Sequence, residues 1–245
     1  MTGRIGILSG FLLALAACSS EPATDTVDPA TAPTTEVGST EDEARTCTIP
    51  KTERKVDVQA KATVLATIKR IAAEEGVHNA LLIAGIGAQE TRLSQCWKDA
   101  RDACQGPTSA ACGGPVVAGA GDGPCSDRQG GLGMFQFDAG NYDETLRTYG
   151  KDILTEAGNV RAAVRLIVEK LRTCSNGPAT TTPEATRAFI DAAKPGTPQY
   201  DVFLDAMAHC YNGAGEKTCR FQQVRAMYKG QIELLQSDAG PAFWN

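Results

Sequence analysis

Apolar positions fall into three regimes along the chain. From Ile5 to Ala17 they are nearly continuous, with Arg4 in front and Leu15-Ala16-Ala17-Cys18 behind. A bilayer span takes about 20 apolar residues, so this run is too short to cross one and has the form of a cleaved secretory signal over residues 1–17. Residues 19–45 carry no apolar period and no aromatic residue. They are rich in Thr, Pro and acids, and so predict a disordered tether. From residue 46 onward apolar residues recur at three-and-four spacing, which predicts one mainly helical domain over 46–245.

Within that domain the pattern resolves into separate helices. After Asp57, residues Val64, Leu65, Ile68, Ile71 and Ala72 form one face, and Gly76 stops the run. Asn79 stands where a cap would, ahead of ALLIAGIGAQET, which is apolar on nearly all sides and predicts a buried helix. Residues 92–130 lose the period, are rich in Gly and hold four cysteines; they predict a long insertion loop pinned by disulfides. A small hairpin is expected around 116–137. Helical patterns return at 141–149, then after Asn159 as a cap, with Val160, Val164, Ile167, Val168 and Leu171 facing inward. Thr182-Pro183 opens another, and 198–210 and 219–236 complete the set.

Charge and cysteine usage narrow the setting. The tether holds seven acids and one base, Arg45. Taking Arg4 and Arg45 from the 24 basic residues, and those seven from the 29 acidic ones, leaves 22 of each in the domain. The domain is formally neutral, which argues against a nucleic-acid partner. Nine cysteines are an odd number. Cys18 closes a lipoprotein box, and as a lipidated N-terminus it removes itself from the count. The remaining eight, Cys47, Cys96, Cys104, Cys112, Cys125, Cys174, Cys210 and Cys219, can form four disulfides in an oxidising compartment. Proximity favours Cys210–Cys219 and pairs within 96–125. None makes a C-x-x-C, and His78 and His209 are the only histidines, so neither a metal nor a cofactor is expected.

Three segments carry candidate chemistry. Glu90 ends the most apolar helix, where burial and the helix C-terminal dipole both push a carboxyl pKa upward, as a general acid requires; the plain alternative is the first exposed residue after a buried helix. Gly130-Gly131-Leu132-Gly133-Met134-Phe135-Gln136-Phe137-Asp138 lets backbone approach a ligand and offers the Gln136 amide; it reads equally as a turn into a core strand. His209-Cys210-Tyr211-Asn212-Gly213-Ala214-Gly215 offers Tyr211 and Asn212, or else a glycine-closed helix end. Gly213 to Thr218 fails as a phosphate loop, since Glu216 stands where glycine must precede the lysine. Trp97 and Trp244 are expected to pack rather than stack on sugar.

Glu90-Thr91, Gly131-Leu132-Gly133-Met134-Phe135-Gln136 and Tyr211-Asn212-Gly213-Ala214-Gly215, in that order, resemble the three motifs of soluble lytic transglycosylase (SLT) domains, lysozyme-like enzymes that cleave peptidoglycan. The likeness covers about residues 60–236 and departs in the long 41-position spacing from Glu90 to Gly131, in the extra Phe135 and in Gly213. The resemblance implies a lysozyme-like helical domain. It implies Glu90 as the acid, Tyr211 as the tyrosine that hydrogen-bonds it, and Thr91, Met134, Gln136 and Asn212 as substrate contacts. The implied reaction cleaves the MurNAc–GlcNAc β-1,4 bond and leaves 1,6-anhydro ends, with no cofactor. Asp138 is the candidate second carboxylate, with Asp122 and Asp127 weaker, for the alternative of a hydrolytic muramidase. A non-catalytic peptidoglycan-binding lipoprotein is the alternative of another class. The expected partners are glycan strands and, through Cys18, a membrane. The protein is then a monomer in the bacterial envelope, on the periplasmic face of the outer membrane.

Overall fold

Among the described residues, the computed structural model holds seven α-helices and one two-stranded antiparallel sheet: α1 Ala62–Glu74, α2 Ala80–Thr91, β1 Cys104–Ser109, β2 Gly114–Ala118, α3 Tyr142–Tyr149, α4 Glu156–Thr173, α5 Pro183–Ala192, α6 Pro198–Ala206 and α7 Cys219–Ala239. Residues 47–52, 56–100, 103–120, 125–126 and 130–240 are described. The signal, Cys18, the tether, Asp122, Asp127 and Trp244 lie outside the described residues.

The core forms around α2, in which every residue from Ala80 to Ala88 is buried. Such a helix has no solvent face to offer, so it must be covered on all sides. α1 packs on it with Leu65, Ile68, Ile71 and Ala72, four of the five residues read from the sequence as its face, while Val64 is partly buried at the edge. α7 crosses it at Gly85, where a Cβ would run into the Ile232 side chain. α4 packs against α1 and α5, burying Val160, Val164, Ile167, Val168 and Leu171.

Two predicted caps serve other ends. Asn79 does occupy the position before α2, but its side chain makes no cap there. Its amide donates to the carbonyls of Ile190 and Ala193, and Asp191 Oδ1 instead accepts from the His78 and Asn79 backbone amides at 2.7 and 2.9 Å. Asn159 does not begin α4. Thr155 does, accepting from Gly158 N at 3.1 Å, and Asn159 is buried one turn in. The Thr182 cap with Pro183 at the first turn stands as read.

The insertion holds more structure than its lost periodicity suggests. Its hairpin is β1–β2, residues 104–118, ahead of the expected 116–137. Pro107, Pro115 and a register shift between Gln105 and Thr108 hide the alternation. Only single bridges, Ala118 to Leu132 and Leu132 to Phe137, extend it toward 137. Cys96–Cys112 and Cys104–Cys125 pair inside it, as expected. Their separations of 16 and 21 residues correspond to a loop-closure stabilisation on the order of 3 kcal/mol each. The expected Cys210–Cys219 bond is not formed. Cys210 pairs with Cys174 and Cys219 with Cys47, because Cys210 faces the end of α4 while Cys219 starts α7 beside residues 47–52.

Candidate active site

α2 delivers Glu90 to a cavity of about 580 Å³. The chain reverses sharply just after it, with Arg92 and Leu93 both left-handed at φ 57° and 58°. Such a conformation disfavours residues with a Cβ. It is held because the Leu93 side chain is fully buried and its N–H reaches the Gly87 carbonyl at 3.1 Å. Thr91 secures the same corner: its hydroxyl donates to the Met134 carbonyl at 2.9 Å and accepts from Ser94 N at 3.1 Å.

Glu90, Thr91 and Arg92 form one side of the cavity and Gln136 lines it from the glycine-rich motif. The rest of the lining comes from the insertion: Asp99, Ala100 and Ala103, then Val117 through Ala120. Glu90 sits deep in the protein and exposes only part of itself, on the cavity side. Burial raises its pKa, and a hydrogen bond from Tyr228 offsets part of that rise. The acid therefore holds its proton to higher pH than a hydrated carboxyl.

The Tyr228 hydroxyl, on α7, donates to Glu90 Oε1 at 2.6 Å. This is the bond that the resemblance assigned to Tyr211. Tyr211 instead donates to the Phe135 carbonyl at 2.7 Å, which ties the third motif to the second. Both tyrosines have pKa values pushed well up, first by burial and then by the Glu90 charge, so Tyr211 is also a close neighbour of the acid. A π-helical turn, Met207–Tyr211, sets that position, with Asn212 N reaching the Met207 carbonyl at 3.0 Å. Such turns insert one extra residue and often mark functional sites.

Asn212 is not among the residues lining the cavity. It lies near enough to Tyr228 to lower that phenol's pKa slightly against the burial and the Glu90 charge that raise it. Arg220 donates to Asn212 Oδ1 at 3.4 Å. With the Tyr228 hydroxyl donating to Oε1, Oε2 is the oxygen left to carry the proton of a neutral Glu90.

Met134 does not line the cavity: its side chain is fully buried. Its backbone is what matters, the N–H donating to Gln95 Oε1 at 3.0 Å and the carbonyl accepting from Thr91. Asn159 completes the frame by accepting from Phe135 N and donating to the Leu132 and Ile153 carbonyls. A Cβ on Gly133 would collide with the Asn159 amide, so this turn requires glycine. Gln136, held at φ 53°, donates from Nε2 to the Gly133 carbonyl at 2.9 Å. Asp138 is exposed and accepts from Gly140 N at 2.8 Å; it is not among the cavity's lining residues. Sequence reasoning missed Tyr228, Gln95, Arg92 and Asp99. Only Tyr228 left a trace, as an aromatic on the inner face of a helical run. Trp97 is structural, with Nε1 donating to the Ala103 carbonyl at 2.9 Å.

Compared with protein-family models, with curated proteins and with solved structures, the chain gives no match.

Proposed function

We propose that this chain is a lytic transglycosylase with a lysozyme-like domain, cleaving the MurNAc–GlcNAc β-1,4 bond of peptidoglycan with Glu90 as its single acid. The observation that carries this reading is a carboxyl whose pKa burial raises, at the edge of a cavity large enough for sugar rings, with one oxygen bound by the Tyr228 hydroxyl. In this reaction Glu90 protonates the glycosidic oxygen and the bond to the anomeric carbon breaks. The substrate's acetamido oxygen meets the developing positive charge, so no protein nucleophile is needed. Glu90, now anionic, takes the proton of the muramyl 6-hydroxyl as that oxygen closes the 1,6-anhydro ring. The three motifs support the assignment, as does the meeting of Glu90, Gln136 and Thr91 around one cavity. Export, a lipid on Cys18 and a periplasmic outer-membrane address belong to the same reading, and the sequence alone supports them.

One observation favours a second reading, hydrolysis. Asp99 lines the same cavity as Glu90, and a second carboxylate suits the activation of water. The deciding experiment is digestion of purified sacculi followed by mass spectrometry. Anhydro ends identify the transglycosylase and reducing ends the muramidase. Glu90→Gln keeps the shape and removes the acid, so its release of muropeptides should fall by about a thousandfold or more. Equal release by both proteins would refute Glu90 as the acid, and binding without any release would mark a wall-binding protein.

A further inference from the structure

Building on the glycan-cleaving reading, we propose that the insertion's two disulfides are positioning groups for substrate, holding one wall of the cavity without acting on the acid. The wall residues are bracketed by these bonds: Asp99, Ala100 and Ala103 fall between Cys96 and Cys104, and Val117 through Ala120 between Cys112 and Cys125. The hairpin's strands are five and six residues long and number only two, each contains a proline, and their register shifts. The inner part of the bracketed chain is also held by burial of Val116, Val117 and Ala118 and by backbone bonds: Val117 N to the Gln95 carbonyl at 3.0 Å, Gly133 N to the Val117 carbonyl at 2.9 Å and Gly119 N to the Gly131 carbonyl at 2.8 Å. The cross-links therefore matter most for the outer part, Asp99, Ala100 and Ala103. Besides the cross-links, the outer part is tied by Trp97 Nε1 to the Ala103 carbonyl and by Ser94 Oγ to the Asp99 carbonyl.

Glu90 depends on other parts of the fold. Its helix and its bond from Tyr228 belong to α2 and α7, neither of them in the insertion. The two bonds therefore set how well a glycan strand is held, and leave the protonation of Glu90 as it is.

The test uses the full chain with Cys96→Ser/Cys112→Ser, Cys104→Ser/Cys125→Ser and, as comparator, Cys47→Ser/Cys219→Ser. Each is assayed for KM and kcat on solubilised, peptide-free glycan strands, with the Glu90 carboxyl titrated by ¹³C NMR. Each insertion variant should raise KM about tenfold while kcat stays within about threefold, the signature of lost uniform binding. The Glu90 titration should not move, and the comparator should keep the native KM. Unchanged KM in both insertion variants overturns the inference. So does a shifted Glu90 titration, or failure of both variants to fold, because the helices are held to stand without these bonds. If the native chain cleaves no glycan, the reading of its function has failed and this inference falls with it; native cleavage with unaltered variants defeats the inference alone.

Discussion

At the scale of single residues, the site turns on one hydrogen atom and what orients it. Glu90 acts only while protonated, and its pKa is raised, so activity should hold through acidic pH and fall as pH climbs past that raised value. The Tyr228 bond pulls the other way, stabilising the charged form. Tyr228→Phe therefore removes a lowering influence, and the alkaline limb of the pH–rate profile should move to higher pH. The same change frees the proton to sit on either oxygen, so the plateau rate should drop by about tenfold, or about 1.4 kcal/mol of barrier. A pH series of muropeptide release checks both effects, and a limb moving to lower pH would contradict the assigned donor. Glu90, Thr91 and Gln136 were legible in sequence because each sits in a short motif with unusual neighbours. Tyr228 was not, since nothing local marks a tyrosine in Met227-Tyr228-Lys229 as the acid's partner. Asn159 was misread for a definite reason: an asparagine before an apolar run has the look of a cap, while its buried bonds go to segments far away in sequence.

Among the elements, the contact between α2 and α7 decides whether that bond exists. Gly85 lets the two helices approach, with Ile232 filling the space a methyl group would take. Gly85→Ala gains helix propensity of about 1 kcal/mol but overfills a packed contact, which costs about 1–3 kcal/mol. The expected outcome is a Tm lower by several degrees and a larger loss of activity, as α7 carries Tyr228 away from Glu90. Adding Ile232→Ala should restore much of that activity, because it reopens the space, and thermal scans beside sacculus assays on the single and double variants test the pairing. α1, α2 and α4 were legible from their apolar faces. The β1–β2 hairpin was not, because prolines and glycines occupy the positions where alternation would show, and its order comes from cross-links and long-range backbone bonds that spacing alone cannot assign.

Across the whole molecule, Cys47–Cys219 joins residues 172 positions apart. It fixes the segment 47–52 along α7, where Gln223 Nε2 donates to the Thr48 carbonyl and Thr52 packs onto Gly230. Pulled from its two termini, the oxidised chain has a covalent shortcut. Tension passes from Cys47 straight into the first turn of α7, and the polypeptide between the two sulfurs bears none of it. Stretching single molecules should show the difference: the reduced chain should release about 600 Å more contour length than the oxidised one, at about 3.4 Å per residue. A load on the N-terminal end is thus carried by the sulfur bridge, and the segment holding Glu90 stays mechanically shielded.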